Sequence, residues 1–257
     1  MSAATRPLFP ARPVTRQGPV LRTATTLLAW FWLVALWYWA IVLAVVVAVP
    51  LVVDSVGEVG TSTIWFARQS GVWFPFSVLI GVATTYPPVH VASGMTRRSY
   101  VRGALLAAAV TAAGFAVLMA GGLLTERAWY GAMGWEWSLQ DQGWFSPEVT
   151  FGSLLVAYLA TFLVSYVSGL LVGTVYAAAG GWWGTLTLPL TAGPSLLMTI
   201  LIGNANDWVP FSDLFGDGPG DSTPLALVVT VAAVLTLALA TAFWLIATRR
   251  SIAPRRG

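Results

Sequence analysis

Arg97, Arg98 and Arg102 stand within the short stretch SGMTRRSYVRG (93–103) of a 257-residue chain in which only 9% of residues are charged. A guanidinium carries a fixed charge on a planar fork that matches carboxylate or phosphate oxygens two at a time. Two readings follow from the residues alone. The arginines mark the side of a membrane that faces the cytoplasm, or they form a docking element for a soluble partner. Most other chemistry is excluded by residue type. There is no cysteine, so disulfides and thiolate chemistry are absent. The single histidine, His90, cannot by itself build a histidine metal site. All thirteen basic residues are arginine, and a Walker A loop needs a lysine to reach phosphate. HExxH and GxSxG signatures are missing as well. The chain therefore offers no catalytic residue and no metal ligand set. Any ATP and magnesium chemistry would belong to another polypeptide.

The elements that position these arginines are apolar. The chain is 57% hydrophobic, with a mean hydropathy of +0.77, against about 25% charged residues in an ordinary globular protein. Crossing a hydrocarbon core takes about 20 apolar helical residues. Six stretches reach that length: 26–53, 72–92, 103–124, 151–176, 182–203 and 225–247. None contains Asp, Glu, Lys or Arg. The expectation is an all-α polytopic membrane protein of six transmembrane helices in one domain. Segment 1–25 and tail 248–257 flank it, with both termini cytoplasmic. The first span is too long for a signal-peptide core and is expected to remain in the mature protein. With both ends inside, eleven of the thirteen arginines fall on the cytoplasmic side, as the positive-inside rule prefers. All ten carboxylates then lie outside or at that rim. The bias towards Arg, Ala, Gly, Val and Trp suggests a bacterial cytoplasmic membrane.

Ion-coupled carriers keep an ionisable group at membrane depth, and these spans hold none. The fourth span places Thr161, Ser165, Gly169 and Gly173 on one helix face. Small residues there permit close helix packing, within the bundle or against another subunit. Pro189 and Pro194 should kink the fifth span, which suits either a gate or simple packing geometry. In the first span Trp30 pairs with Trp37 and Trp32 with Trp39, each seven residues apart and on nearly opposite faces. One face meets lipid, and the other is a candidate cavity wall, with Trp37 and Trp39 as candidate cavity or gate residues. His90 reads as an interfacial polar residue.

The stretch SGMTRRSYVRGALLAAAVTAAG resembles the segment joining the second and third helices of type-two ATP-binding-cassette (ABC) exporter permeases. Gly94, Thr96, Arg97, Arg98 and Tyr100 match that family's pattern position by position. Glu126, in LLTERAWYGAMGW, resembles the acidic residue that closes the family's third helix. Two features depart from the family. Gly18-Pro19 interrupts the place of its amphipathic elbow helix, and the loop before the third span leaves room for a docking helix of only a turn or two. The resemblance implies the permease subunit of an exporter, moving a hydrophobic or amphipathic substrate. Its implied partners are separate cytoplasmic ABC ATPases and a second permease copy, as a homodimer or heterodimer, with no nucleic acid. Ser93, Gly94, Met95, Thr96, Arg97, Arg98, Tyr100 and Arg102 would form the ATPase-coupling loop. Glu126 joins the candidate cavity or gate residues. The rival is a membrane scaffold or signalling partner that does not transport.

Overall fold

Backbone N–H and C=O groups in hydrocarbon must find partners within the protein, and helices satisfy them locally. The computed structural model describes residues 18–139, 150–201 and 225–249, and every regular element among them is helical. The elements are α1 (Pro19–Val56), α2 (Ile64–Ala92), α3 (Arg97–Met133), α4 (Phe151–Leu186), α5 (Leu188–Thr191), α6 (Gly193–Leu201) and α7 (Leu225–Arg249). Five of them, α1 to α4 and α7, are long and apolar enough to cross a membrane. The chain is a polytopic helical membrane protein.

Helix α4 is the central post. It packs against α2, α3 and α7, while α1 lies mainly along α3. The post is close-packed because its small residues let neighbouring backbones approach. A Cβ added at Gly169 would sit 2.5 Å from the Phe76 carbonyl oxygen, and one at Gly173 would strike that of Ile80. Thr161 and Ser165 turn their hydroxyls back to Ala157 and Thr161 carbonyls, which keeps the same face free of unpaired donors. Thus Thr161, Ser165, Gly169 and Gly173 are buried within the bundle, the two glycines directly against α2. Beside this seam an aromatic cluster fills the junction of α1 to α4. Tyr38 stacks on Phe74 with ring centroids 4.7 Å apart, Phe115 joins both α1 and α4 aromatics, and the Tyr166 hydroxyl donates to the Gly71 carbonyl at 2.8 Å.

The helices outrun the apolar spans. α1 starts at Pro19 with Gly18 as its N-cap, so residues 20–25 continue into the spanning helix rather than forming a separate elbow. α2 begins at Ile64, eight residues before the expected Val72. α3 starts at Arg97 and ends at Met133, beyond both expected limits. Polar residues at the ends propagate a helix that apolar residues nucleate, since each added residue gains a backbone hydrogen bond.

The expected fifth span, 182–203, is not one continuous helix. Gly180 breaks the end of α4 with φ 83° and ψ 176°, a conformation that favours glycine. The chain then doubles back, so that the Tyr176 and Thr185 hydroxyls lie 3.0 Å apart and Ser168 donates to the Thr191 carbonyl. The returning arm is the last turns of α4, then α5 and α6, with helix breaks at Thr187 and Ala192. Each break directly precedes or lies close to a proline, Pro189 or Pro194, which cannot donate into the preceding turn. Ile202 and Gly203, the last residues of that span, lie outside the described residues, as do the outer segments 140–149 and 204–224 and the chain ends 1–17 and 250–257.

Candidate functional site

Two polar constructions sit at opposite ends of α3. From Arg97 to Glu126 the helical rise gives about 44 Å, the thickness of a bilayer with its headgroups.

At the arginine end, α2 stops in a glycine-dependent turn. Gly94 has φ 81°, and the Met95 N–H reaches back to the His90 carbonyl at 3.3 Å. Thr96 then caps α3, its hydroxyl accepting from the Ser99 N–H at 3.2 Å. His90 locks the turn from beneath. It is buried, with Nε2 3.0 Å from the Ser99 hydroxyl and 3.2 Å from the Thr96 carbonyl. The Ser99 hydroxyl donates to that same carbonyl at 2.6 Å, so the set closes when Nε2 carries the hydrogen. His90 is therefore a buried strut of this turn. Tyr100 is buried too, packing edge-on against Phe243 of α7.

Residues 97–102 are the first turns of α3, and the separate element is only the turn 93–96. Ser93, Gly94 and Thr96 are exposed on it and Met95 is half-buried. Arg98 and Arg102 are exposed, and Arg97 is half-buried. Arg97, Arg98 and Thr96 form one wall of a cleft of about 660 Å³, and Trp244, Leu245, Thr248 and Arg249 of α7 form the other. Arg102 lies over the Trp244 ring at 5.4 Å. The guanidinium groups of Arg97, Arg98 and Arg249 border this one hollow, beside the N-terminus of α3, and their chemistry suits carboxylate or phosphate oxygens.

At the far end, Glu126 is a carboxylate lent by one helix to cap another. It accepts from the Thr63 N–H at 2.9 Å, the Ile64 N–H at 3.0 Å, the Trp137 indole at 3.3 Å and the Ser62 hydroxyl. The first two are donors at the start of α2 that no intrahelical carbonyl can reach. Ser138 meets the 60–62 strand of chain at both its carbonyl and its hydroxyl, and Trp135 donates to Asp54 at 2.9 Å. Arg127 sits over the Trp137 ring at 5.6 Å. One turn into α2, Arg68 is buried and lies 3.7 Å over Trp65. α2 and α3 are thus fastened at both ends, by His90–Thr96–Ser99 and by Glu126.

Between the two ends α1 leaves α3. They touch at Gly103, where an added Cβ would lie 2.6 Å from the Thr23 side chain. Further along Trp32 packs on Gly114, and beyond it a lateral groove of about 770 Å³ opens. Trp39 and Trp32 line it, and Glu126, Thr125 and Trp129 close one end. Trp37 does not line it: the side chain is 74% exposed on the opposite face of α1. Pro189 and Pro194 lie at the breaks of the returning arm, away from the groove's lining.

Sequence reading missed Arg68, Ser62, Thr63 and Trp137. Arg68 lies before the apolar stretch 72–92, in the part of α2 that precedes it. The available signal was TSTIW (61–65), where hydroxyl residues directly precede an apolar run, as at a helix start. Compared with known proteins, the chain matches no family model, no curated protein and no solved structure.

Proposed function

We propose that this chain is the membrane-spanning permease subunit of an ABC exporter. In this reading five long helices, with α4 taken up to its break at Gly180, and the broken arm 181–201 make six crossings, with both termini and Arg97, Arg98 and Arg249 on the cytoplasmic side of a bacterial plasma membrane. The observation that carries the reading is the arginine turn. Its backbone is locked by His90, Thr96 and Ser99, while Arg98 and Arg102 stay exposed. Mere topology marks need charge and no fixed geometry; a docking surface needs both.

Separate ATPases would present acidic grooves to this turn and bind ATP and magnesium themselves. Their closure would push on the start of α3. Because α2 and α3 are joined at both ends, the pair would move as one body against α1, and the groove at the far end would change width. A second permease copy would supply the other half of the pathway. The test is purification from native membranes in mild detergent. A cytoplasmic chain carrying a Walker A loop should copurify and hydrolyse ATP faster when the permease is reconstituted with it. Recovery of an intact permease with no nucleotide-hydrolysing partner would overturn the reading.

A further inference from the structure

We propose that the groove between α1 and α3 is a binding site for a cationic single-tailed amphiphile. The tail would lie along α1 and the ammonium head at the Glu126–Trp129 end. That such a molecule is the transported substrate rests on the permease reading; the binding site itself does not.

Three observations carry the site. First, the groove's size suits such a guest. From Trp32 to Val47 it runs about 22 Å by the helical rise, and its 770 Å³ lies within the range of small-molecule pockets. Second, its polarity is graded. Leu36, Val42, Leu43, Val117 and Leu118 line the length, and Thr125 and Glu126 lie at one end. A wholly apolar guest would leave that end unmatched; an amphiphile matches both parts. Third, Glu126 is the only ionisable side chain among the described residues that line it. In a medium of low dielectric a carboxylate attracts a cation and repels an anion far more strongly than in water. Trp129 lies at the same end, and an indole is a favourable neighbour for a quaternary ammonium. Glu126 is fixed by donors from residues 62–64 and from Trp137 and is buried, so it would act on a cation in the groove through space and not through a direct hydrogen bond.

Gly121 supplies a clean probe. It lines the groove, yet a Cβ added there meets nothing within 4 Å. Gly121→Leu therefore adds side-chain bulk to the groove from a position where its Cβ is unopposed. Gly81→Leu, equally open but on α2 and away from the groove, is its control.

The experiment uses the full chain in nanodiscs of zwitterionic lipid, with a diazirine-bearing hexadecyltrimethylammonium as probe. The same tail bearing a sulfate and bearing an alcohol serve as comparison probes. Crosslinks mapped by mass spectrometry should concentrate in 36–47 and 117–129, several-fold above those on the exposed α7 positions Val234 and Leu237. The sulfate probe should not show this preference. Gly121→Leu should abolish it and Gly81→Leu should preserve it. Glu126→Gln should weaken labelling by the ammonium probe and leave the alcohol probe unchanged. No ATP or ATPase is needed, so loss of the permease reading would leave these results standing. Equal labelling of the α7 face, equal labelling by the sulfate, or indifference to Gly121→Leu would overturn the site.

Discussion

At the scale of single residues, Glu126 has the largest structural part. Its carboxylate satisfies two backbone donors of α2, an indole and a hydroxyl in a place from which water is excluded. Glu126→Ala leaves those donors buried and unpaired, and each such group costs about 1–3 kcal/mol. The variant should melt well below the parent in detergent, while Glu126→Gln, which keeps an acceptor oxygen, should lose less. Equal melting of all three would remove the cap from the account. The sequence drew attention to Glu126 only through a resemblance, as a candidate cavity or gate residue and not as a cap. Three of its four partners lie more than sixty residues away at 62–64, a separation that no local pattern reports. His90 teaches the same lesson: its neighbour Ser99 is across a turn, and only folding puts the ring beneath it.

At the scale of elements, apolar stretches located every long helix, because a run of twenty apolar residues has few alternatives to spanning a bilayer. The same criterion placed the ends badly. Arg97 to Arg102 and Thr125 to Met133 belong to α3 although they are polar or mixed, since an existing helix extends easily through them. The small-residue face of α4 was legible as spacing, and its partner α2 was not. Gly169→Leu should separate these two helices, because the nearest obstacle is the backbone of Phe76 and cannot rotate away. Overpacking of this kind costs about 1–3 kcal/mol, read as a lower melting temperature; no change would place that face against lipid. Gly180 was not singled out at all. A side chain at its φ of 83° is strained by about 1–3 kcal/mol. Gly180→Val should therefore expose the reversal within α4, seen as faster proteolysis at 180–187, whereas Gly181→Val should not.

At the scale of the whole molecule, the proposed orientation rests on the segregation of arginines from carboxylates along the sequence. Ser93 and Ser138 are exposed at opposite ends of the bundle, whereas Ser62 and Ser99 are buried and unsuitable as reporters. In the cysteine-free chain, Ser93→Cys should react only with reagents that reach the cytoplasm and Ser138→Cys only from outside. The central claim, that Arg97 and Arg98 dock an ATPase, has a sharper test. Arg97→Lys with Arg98→Lys retains every charge that topology requires but removes the planar forks. With insertion verified, copurified ATPase and permease-stimulated ATP hydrolysis are measured beside Arg255→Lys with Arg256→Lys. Docking predicts that the first pair weakens binding and the second leaves it intact. Arg98→Ala should lower affinity by about thirtyfold or more, as loss of one partner from a buried interfacial charge pair does. Equal behaviour of the two arginine pairs would contradict the account and leave Arg97 and Arg98 as marks of topology alone.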